Sequence, residues 1–104
     1  MGLIYLINEL DTDNYKIGYT NAKTTNSRKL TLQTGNSKEL IVVKTFKTKN
    51  PSKLEKMLHR HFNQSHINGE WYLLSSEDIS LFLDICQKLD DTILFLLNNN
   101  SFYN

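Results

Sequence analysis

Two apolar periods alternate along the chain. Residues 3–9 (LIYLINE) and 39–46 (ELIVVKTF) are short runs rich in β-branched and aromatic residues, which predict strands. Residues 15–20 (YKIGYT) alternate instead, with Tyr15, Ile17 and Tyr19 on one face and Lys16, Gly18 and Thr20 on the other. The turn formers of LDTDN join the first run to this one, so the start of the chain reads as a β-hairpin with a loop of about four to six residues. The period then lengthens. NSRKLTLQTG predicts a short helix with Asn26 as N-cap and Gly35 as its stop. KLEKMLHRHF predicts a second, capped by Ser52, with Leu54, Met57, Leu58 and Phe62 on its apolar face. EWYLL, residues 70–74, reads as a short strand, and SSED as a capping-box-like start for a helix over 76–89. TILFLL predicts a last short helix, and NNNSFYN a frayed end.

The order is β-β-α-β-α followed by β-α-α. It predicts an α+β fold in which a small antiparallel sheet is flanked by helices. With 104 residues and no linker or repeat, one domain is expected over 1–98: a core at 3–75, helices at 76–98, and a tail at 99–104.

Composition adds three bounds. No apolar run approaches the length of a membrane span, and no leader is visible, so no membrane partner and no secretion are expected. The single cysteine, Cys86, excludes an internal disulfide and suits a reducing compartment, cytoplasmic, or nuclear for a eukaryotic or viral chain. Its helical spacing to Ile79, Phe82, Leu83 and Leu89 makes it a small buried hydrophobe. The net charge of +1 conceals an asymmetry: residues 16–60 hold eleven of the twelve Lys and Arg against two acids, a net +9. Such a segment suggests a face for a polyanion, most simply nucleic acid; a solvated lysine surface is the alternative.

The polar face of YKIGYT is cationic, then bare, then hydroxylated. A bare glycine within a strand marks a close approach to the backbone. LIY at 3–5 and KIG at 16–18 sit on the paired strands, an arginine follows at Arg28, EKMLHRHF spans 55–62, and GEWY spans 69–72. In this order the four motifs resemble the GIY-YIG nuclease superfamily, and within it the phage- and virus-rich T5orf172 or MUG113 branch. The resemblance covers residues 3 to about 75.

The resemblance implies a divalent-metal-dependent endonuclease of low sequence specificity acting on DNA, with one Mg²⁺ or Mn²⁺. It implies that Tyr5 helps to activate water, that Arg28 clamps the phosphate, that Glu55 holds the metal, and that Lys16 and His59 join the catalytic set. Gly18, Tyr19, Thr20 and Glu70 are then neighbours of substrate or site, and Gly18 lets the DNA backbone come near the sheet. Leu3 in place of the first glycine, Lys16 in place of a tyrosine, and the lack of a histidine soon after Arg28 depart from the wider pattern.

The residue types suit these tasks. Lys16 would favour the phenolate of Tyr5 if the hairpin register put both on one face. Arg28 offers a planar fork for two phosphate oxygens. Glu55 and His59 lie one turn apart and can point into one cleft. Read without the resemblance, the same residues include a core tyrosine, a solvated arginine and a surface Glu–His pair. Alternation puts Trp71 opposite Glu70, with Trp71 in the core and Glu70 facing the cleft or bonding Arg28. Lys23, Lys29, Lys53, Lys56 and Arg60 are expected to track the nucleic acid. Two rivals remain open: a non-catalytic nucleic-acid-binding module, and a viral or phage interaction protein that retains the fold. Nothing in the sequence decides between a monomer and a homodimer.

Overall fold

The hairpin forms where alternation places it. Strand β1 (Gly2–Glu9) pairs antiparallel with β2 (Asn14–Thr20), and the four-residue loop between them carries Asp11 at φ 63°. The computed structural model describes residues 1–22 and 24–99, apart from the side chains of Ser27 and Arg28. Helix α1 (Asn26–Thr34), strand β3 (Leu40–Thr48), helix α2 (Pro51–His61), a 3₁₀ turn (Asn63–Ser65), strands β4 (His66–Asn68) and β5 (Trp71–Leu73), and helix α3 (Ser76–Asn98) follow. All strand pairs are antiparallel, in the order β3-β1-β2-β5-β4, so the architecture is the expected α+β one.

The sheet divides two apolar clusters. On one face, Ile4, Leu6 and Ile17 pack with Leu54, Leu58 and Phe62 of α2 and its end and with Phe82, Cys86 and Ile93 of α3. On the other, Tyr5, Ile7 and Leu40 are fully buried against Leu32 of α1 and the half-buried Val42 and Trp71. Residues directly opposed across an antiparallel pair share a face. The register sets Tyr5 opposite Gly18 and Ile7 opposite Lys16. A β-carbon built on Gly18 would therefore collide with the hydroxyl and ring of Tyr5. What approaches the bare glycine is the chain's own phenol, not a DNA backbone.

Several local expectations are corrected. Helix α1 begins at Asn26 with Thr25 as N-cap, and α2 begins at Pro51 with Asn50 as N-cap, so Ser52 is inside the helix. Proline at the first helical position lacks only a donor that would have no partner there anyway. The two helices expected after residue 76 are one, α3, opened by the Ser75–Asp78 capping box. It runs through the Asp90–Asp91 pair because Asp90 is buried and accepts a 2.6 Å hydrogen bond from the Thr48 hydroxyl. Strand β4 was not anticipated. Cys86 is buried as expected, its thiol pushed up to about 12 by burial and then by Asp90, whereas Leu83 is exposed. Of the expected frayed tail, residues 100–104 lie outside the described residues.

The Tyr5–Gly18 contact can be tested by overpacking. Gly18→Ala should destabilise the fold by about 1–3 kcal/mol, because a buried ring has to leave its well. Thermal melts should show the midpoint falling by more than about 4 °C, with far-UV dichroism retained. An unchanged midpoint would mean that the ring does not sit over Gly18.

Candidate functional site

Strand β2 is the axis of the site. Strand β5 covers only its first half, pairing Asn14, Tyr15 and Lys16 with Leu73, Tyr72 and Trp71. Beyond Lys16 the ladder gives way to single contacts. The Ile17 amide donates to the Glu70 carbonyl at 3.1 Å, and Nε2 of His59 meets the Ile17 carbonyl at 2.9 Å. Helix α2 thus reaches the backbone of β2 through His59, while Leu54 and Leu58 bury its apolar side.

The register answers the question that sequence left open: Tyr5 and Lys16 lie on one face of the hairpin. Tyr5 is fully buried. The Lys16 ammonium, on a side chain only 13 % exposed, lies 3.7 Å from Oε2 of Glu70 and 5.4 Å from the centre of the Trp71 ring. Trp71 therefore shares the Lys16 face, half-buried against the Tyr5 cluster. Glu70 is delivered by the β4–β5 turn and not by a strand, so simple alternation does not place it opposite Trp71. Gly69 in that turn has φ +53°, a conformation that glycine adopts without strain. His66 Nε2 pins the turn at the Gly69 carbonyl, 2.7 Å away. Oε2 of Glu70 is buried and has no hydrogen-bond partner, so the Lys16 charge is its main compensation among the described residues.

Tyr72, to which the GEWY motif assigns no role, stands between α2 and β4. Its ring lies 5.5 Å from that of His59 and 5.2 Å from that of His66. Burial holds its phenol above the ordinary value, and the Glu55 and Glu70 carboxylates push it further in the same direction. Two acids from different elements thus act on one buried hydroxyl. The sequence signal was period two: in YLL and YKI, Tyr72 and Tyr15 fall opposite each other on the core face, but the nearness of Glu55 needs the helix docked.

The remaining predicted residues scatter. Tyr19 is half-buried against the α2–α3 cluster, and the Thr20 hydroxyl accepts from the Ala22 amide at 3.1 Å in the turn after β2. Lys29 lines the largest groove described, about 690 Å³ along α1 with Asn26, Leu30, Gln33 and Glu39, away from the β2 site. Lys53, Lys56 and Arg60 line another groove, with Met57, Ile93 and Leu96, between α2 and α3. At roughly 100° per residue these three cations and the Glu55–His59 pair take different sides of α2. Lys23 and the Arg28 side chain lie outside the described residues; the Arg28 backbone is in the first turn of α1. Among the described residues no three His, Cys, Asp or Glu side chains gather into a metal-holding group, and no helix is long and apolar enough to cross a membrane.

A small antiparallel sheet thus carries Tyr5, Lys16 and Glu70 about its second strand, and the family of the chain suggests a nuclease-like or nucleic-acid-binding module. The T5orf172 domain matches residues 2–87, and the chain belongs to that family, which is related to the GIY-YIG nucleases. No curated protein and no solved structure matches it.

The Tyr72 phenol offers a direct check of this geometry. Below about pH 10 it is protonated in both folded and unfolded chains. Above that pH the unfolded chain ionises first, so stability should fall as pH rises towards the higher folded value. Tyr72→Phe should lose that phase of the decline in melts taken along a pH series. Glu55→Gln should move the Tyr72 phenolate titration, followed by ultraviolet absorbance, back towards the ordinary value. An unmoved titration would separate Glu55 from Tyr72.

Proposed function

We propose that the chain hydrolyses phosphodiester bonds in DNA with one divalent ion, Mg²⁺ or Mn²⁺, and little sequence specificity. What supports this reading is that Tyr5 of β1, His59 of α2 and Glu70 of the β4–β5 turn meet β2 at Gly18, Ile17 and Lys16, while Glu55, one turn before His59, acts on the Tyr72 phenol from the α2 side of the sheet. The family membership supports it.

The donor chemistry suits a hard cation. Glu55 is half-buried, and Glu70, acting on the same phenol, keeps a buried oxygen without a hydrogen bond. Glu55 would hold the ion, with substrate oxygens and water completing its shell. When bound, such an ion neutralises phosphate charge as a Lewis acid. The protein's own groups do the rest. In this reading the Tyr5 phenolate takes a proton from the attacking water as the P–O bond to the leaving oxygen breaks, that oxygen takes a proton from solvent, and Lys16 stands on the same face of the hairpin. Arg28 presents a fork to two phosphate oxygens. His59, bound to the Ile17 carbonyl, orients α2 against β2 and holds Glu55 one turn away in place.

One observation favours a second reading. Tyr5 is fully buried, and a base out of reach of water cannot turn substrate over. A nucleic-acid-binding module without catalysis would keep such a tyrosine as part of its core.

Plasmid nicking with Mg²⁺ or Mn²⁺ separates the two. Glu55→Gln should abolish nicking and weaken Mn²⁺ binding measured by calorimetry, with its melting midpoint retained. Tyr5→Phe keeps the ring over Gly18 and should cost ~10²–10⁴-fold in rate, the usual worth of general-base assistance. Salt-dependent DNA binding with no cleavage by the wild type under any divalent ion would establish the binding module instead.

Arg28→Lys gives a separate check, because lysine keeps the charge but lacks the bidentate fork. Its nicking rate should fall well over tenfold while DNA affinity, read by fluorescence anisotropy, changes little. A rate within twofold of wild type would remove Arg28 from the phosphate clamp.

A further inference from the structure

Helix α2 carries three cations on a side that does not face β2. Lys53, Lys56 and Arg60 recur at three and four residues, so they form one stripe, each roughly a turn beyond the last. All three are exposed, and none takes part in a salt bridge among the described residues. The stripe is one wall of the groove that α2 makes with α3. The half-buried Met57 and the buried Ile93 lie deepest in it, and Leu96, 57 % exposed, stands on the α3 side. No carboxylate lines the groove.

A ligand complementary to this groove is anionic along one edge and apolar along the other. Exposed ion pairs contribute little each, so the apolar edge has to supply part of the holding. A nucleic acid matches the cations alone. Its bases stack on aromatic rings, and none of Met57, Ile93 and Leu96 is aromatic. An amphipathic helix matches both edges. It has the period of α2, so carboxylates three and four residues apart repeat in step with Lys53, Lys56 and Arg60. Apolar side chains on its adjoining stripe then rest on Met57, Ile93 and Leu96, as a helix does in a groove between two others.

We propose that the α2–α3 groove binds an acidic amphipathic helix of a partner protein, its carboxylates against Lys53, Lys56 and Arg60 and its apolar stripe on Met57, Ile93 and Leu96. The inference does not draw on the nuclease reading. A stable interface commonly buries roughly 800 Å² per partner. One helix laid in this groove offers less, so the complex is weak, with a Kd of roughly tens of micromolar.

Fluorescence anisotropy on the full chain tests this with a labelled synthetic helix that carries leucine on one stripe and glutamate on the next. A peptide of the same composition in scrambled order is the control, and should bind at least about tenfold more weakly. Lys56→Glu and Leu96→Asp, one from each side of the groove, should each cost about tenfold or more in affinity for the helix. The triple variant Lys53→Glu, Lys56→Glu and Arg60→Glu should lose this helix and bind one with lysine in place of each glutamate, which unspecific apolar contact would not do. All these positions are exposed, and circular dichroism should confirm that each variant is folded. A wild type that does not bind the helix, that binds the scrambled peptide equally well, or that keeps its affinity in Leu96→Asp would overturn the proposal. A single-stranded DNA oligonucleotide or phosphatidylserine vesicles bound more tightly than the helix, with the same losses in Lys56→Glu and Leu96→Asp, would also overturn it and assign the groove to them.

Discussion

The ring of Tyr5 over the backbone of Gly18 is the constraint on which the sheet depends. A side chain at residue 18 would exclude the ring, and a different register would put the ring over a residue that has one. Slipping the hairpin by one residue would also carry Ile17 out of the α2–α3 cluster and Lys16 into it. The contact therefore selects one register, and that register decides the chemistry. It keeps Tyr5 and Lys16 on the α1 face, while Tyr15, Ile17 and Tyr19 serve the other.

A second constraint follows from the first. Lys16 is drawn under cover by its place in β2, and a nearly buried ammonium needs compensation. Strand β5 supplies it twice, through the Trp71 ring opposite and the Glu70 carboxylate beyond the strand end. The compensation is incomplete on the acid's side, since Oε2 of Glu70 lacks a hydrogen bond. Polar groups left so in a buried place are costly, and they concentrate where a fold serves something other than its own stability. The pair is also what ties the β4–β5 hairpin to the central strands, so the electrostatics of the site and the closing of the sheet are one feature.

Most of the element order was legible in the sequence because its signals were local. Alternation marked β2, apolar spacing marked α2, Gly35 and the Ser75–Asp78 box marked the end of α1 and the start of α3, and β-branched runs marked β1 and β3, whereas the caps expected at Asn26 and Ser52 were misplaced. Strand β4 was not legible because all three of its residues are exposed, so His66, Ile67 and Asn68 have no buried face to impose a period. The continuity of α3 was hidden for the opposite reason. Asp90 looks like a break until the Thr48 hydroxyl, forty-two residues away, is there to receive it. The candidate residues were legible as candidates, through the motifs. Their joints were not: Tyr72 between Glu55 and Glu70, or His59 on the Ile17 carbonyl, exist only once α2 has docked.

The basic segment shows how a block in sequence dissolves in space. Its cations look like one face when counted along residues 16–60, but the fold distributes them. Lys16 turns inward to Glu70, Lys38 reaches Glu9 at 4.0 Å beside the first hairpin, and Lys29 lies along α1. Lys53, Lys56 and Arg60 stand on the side of α2 turned towards α3. A phosphate chain drawn to the α2 cations would not by that alone be brought to Glu55 and His59, which lie around the helix from them. Long-range attraction does not need a single patch, because fields from separate cations add over a Debye length of about 10 Å. Close positioning does need one, and near β2 the only cation described is already paired with Glu70. Attraction and alignment are therefore separable in this fold: scattered lysines would draw a polyanion towards the domain without aligning it on β2.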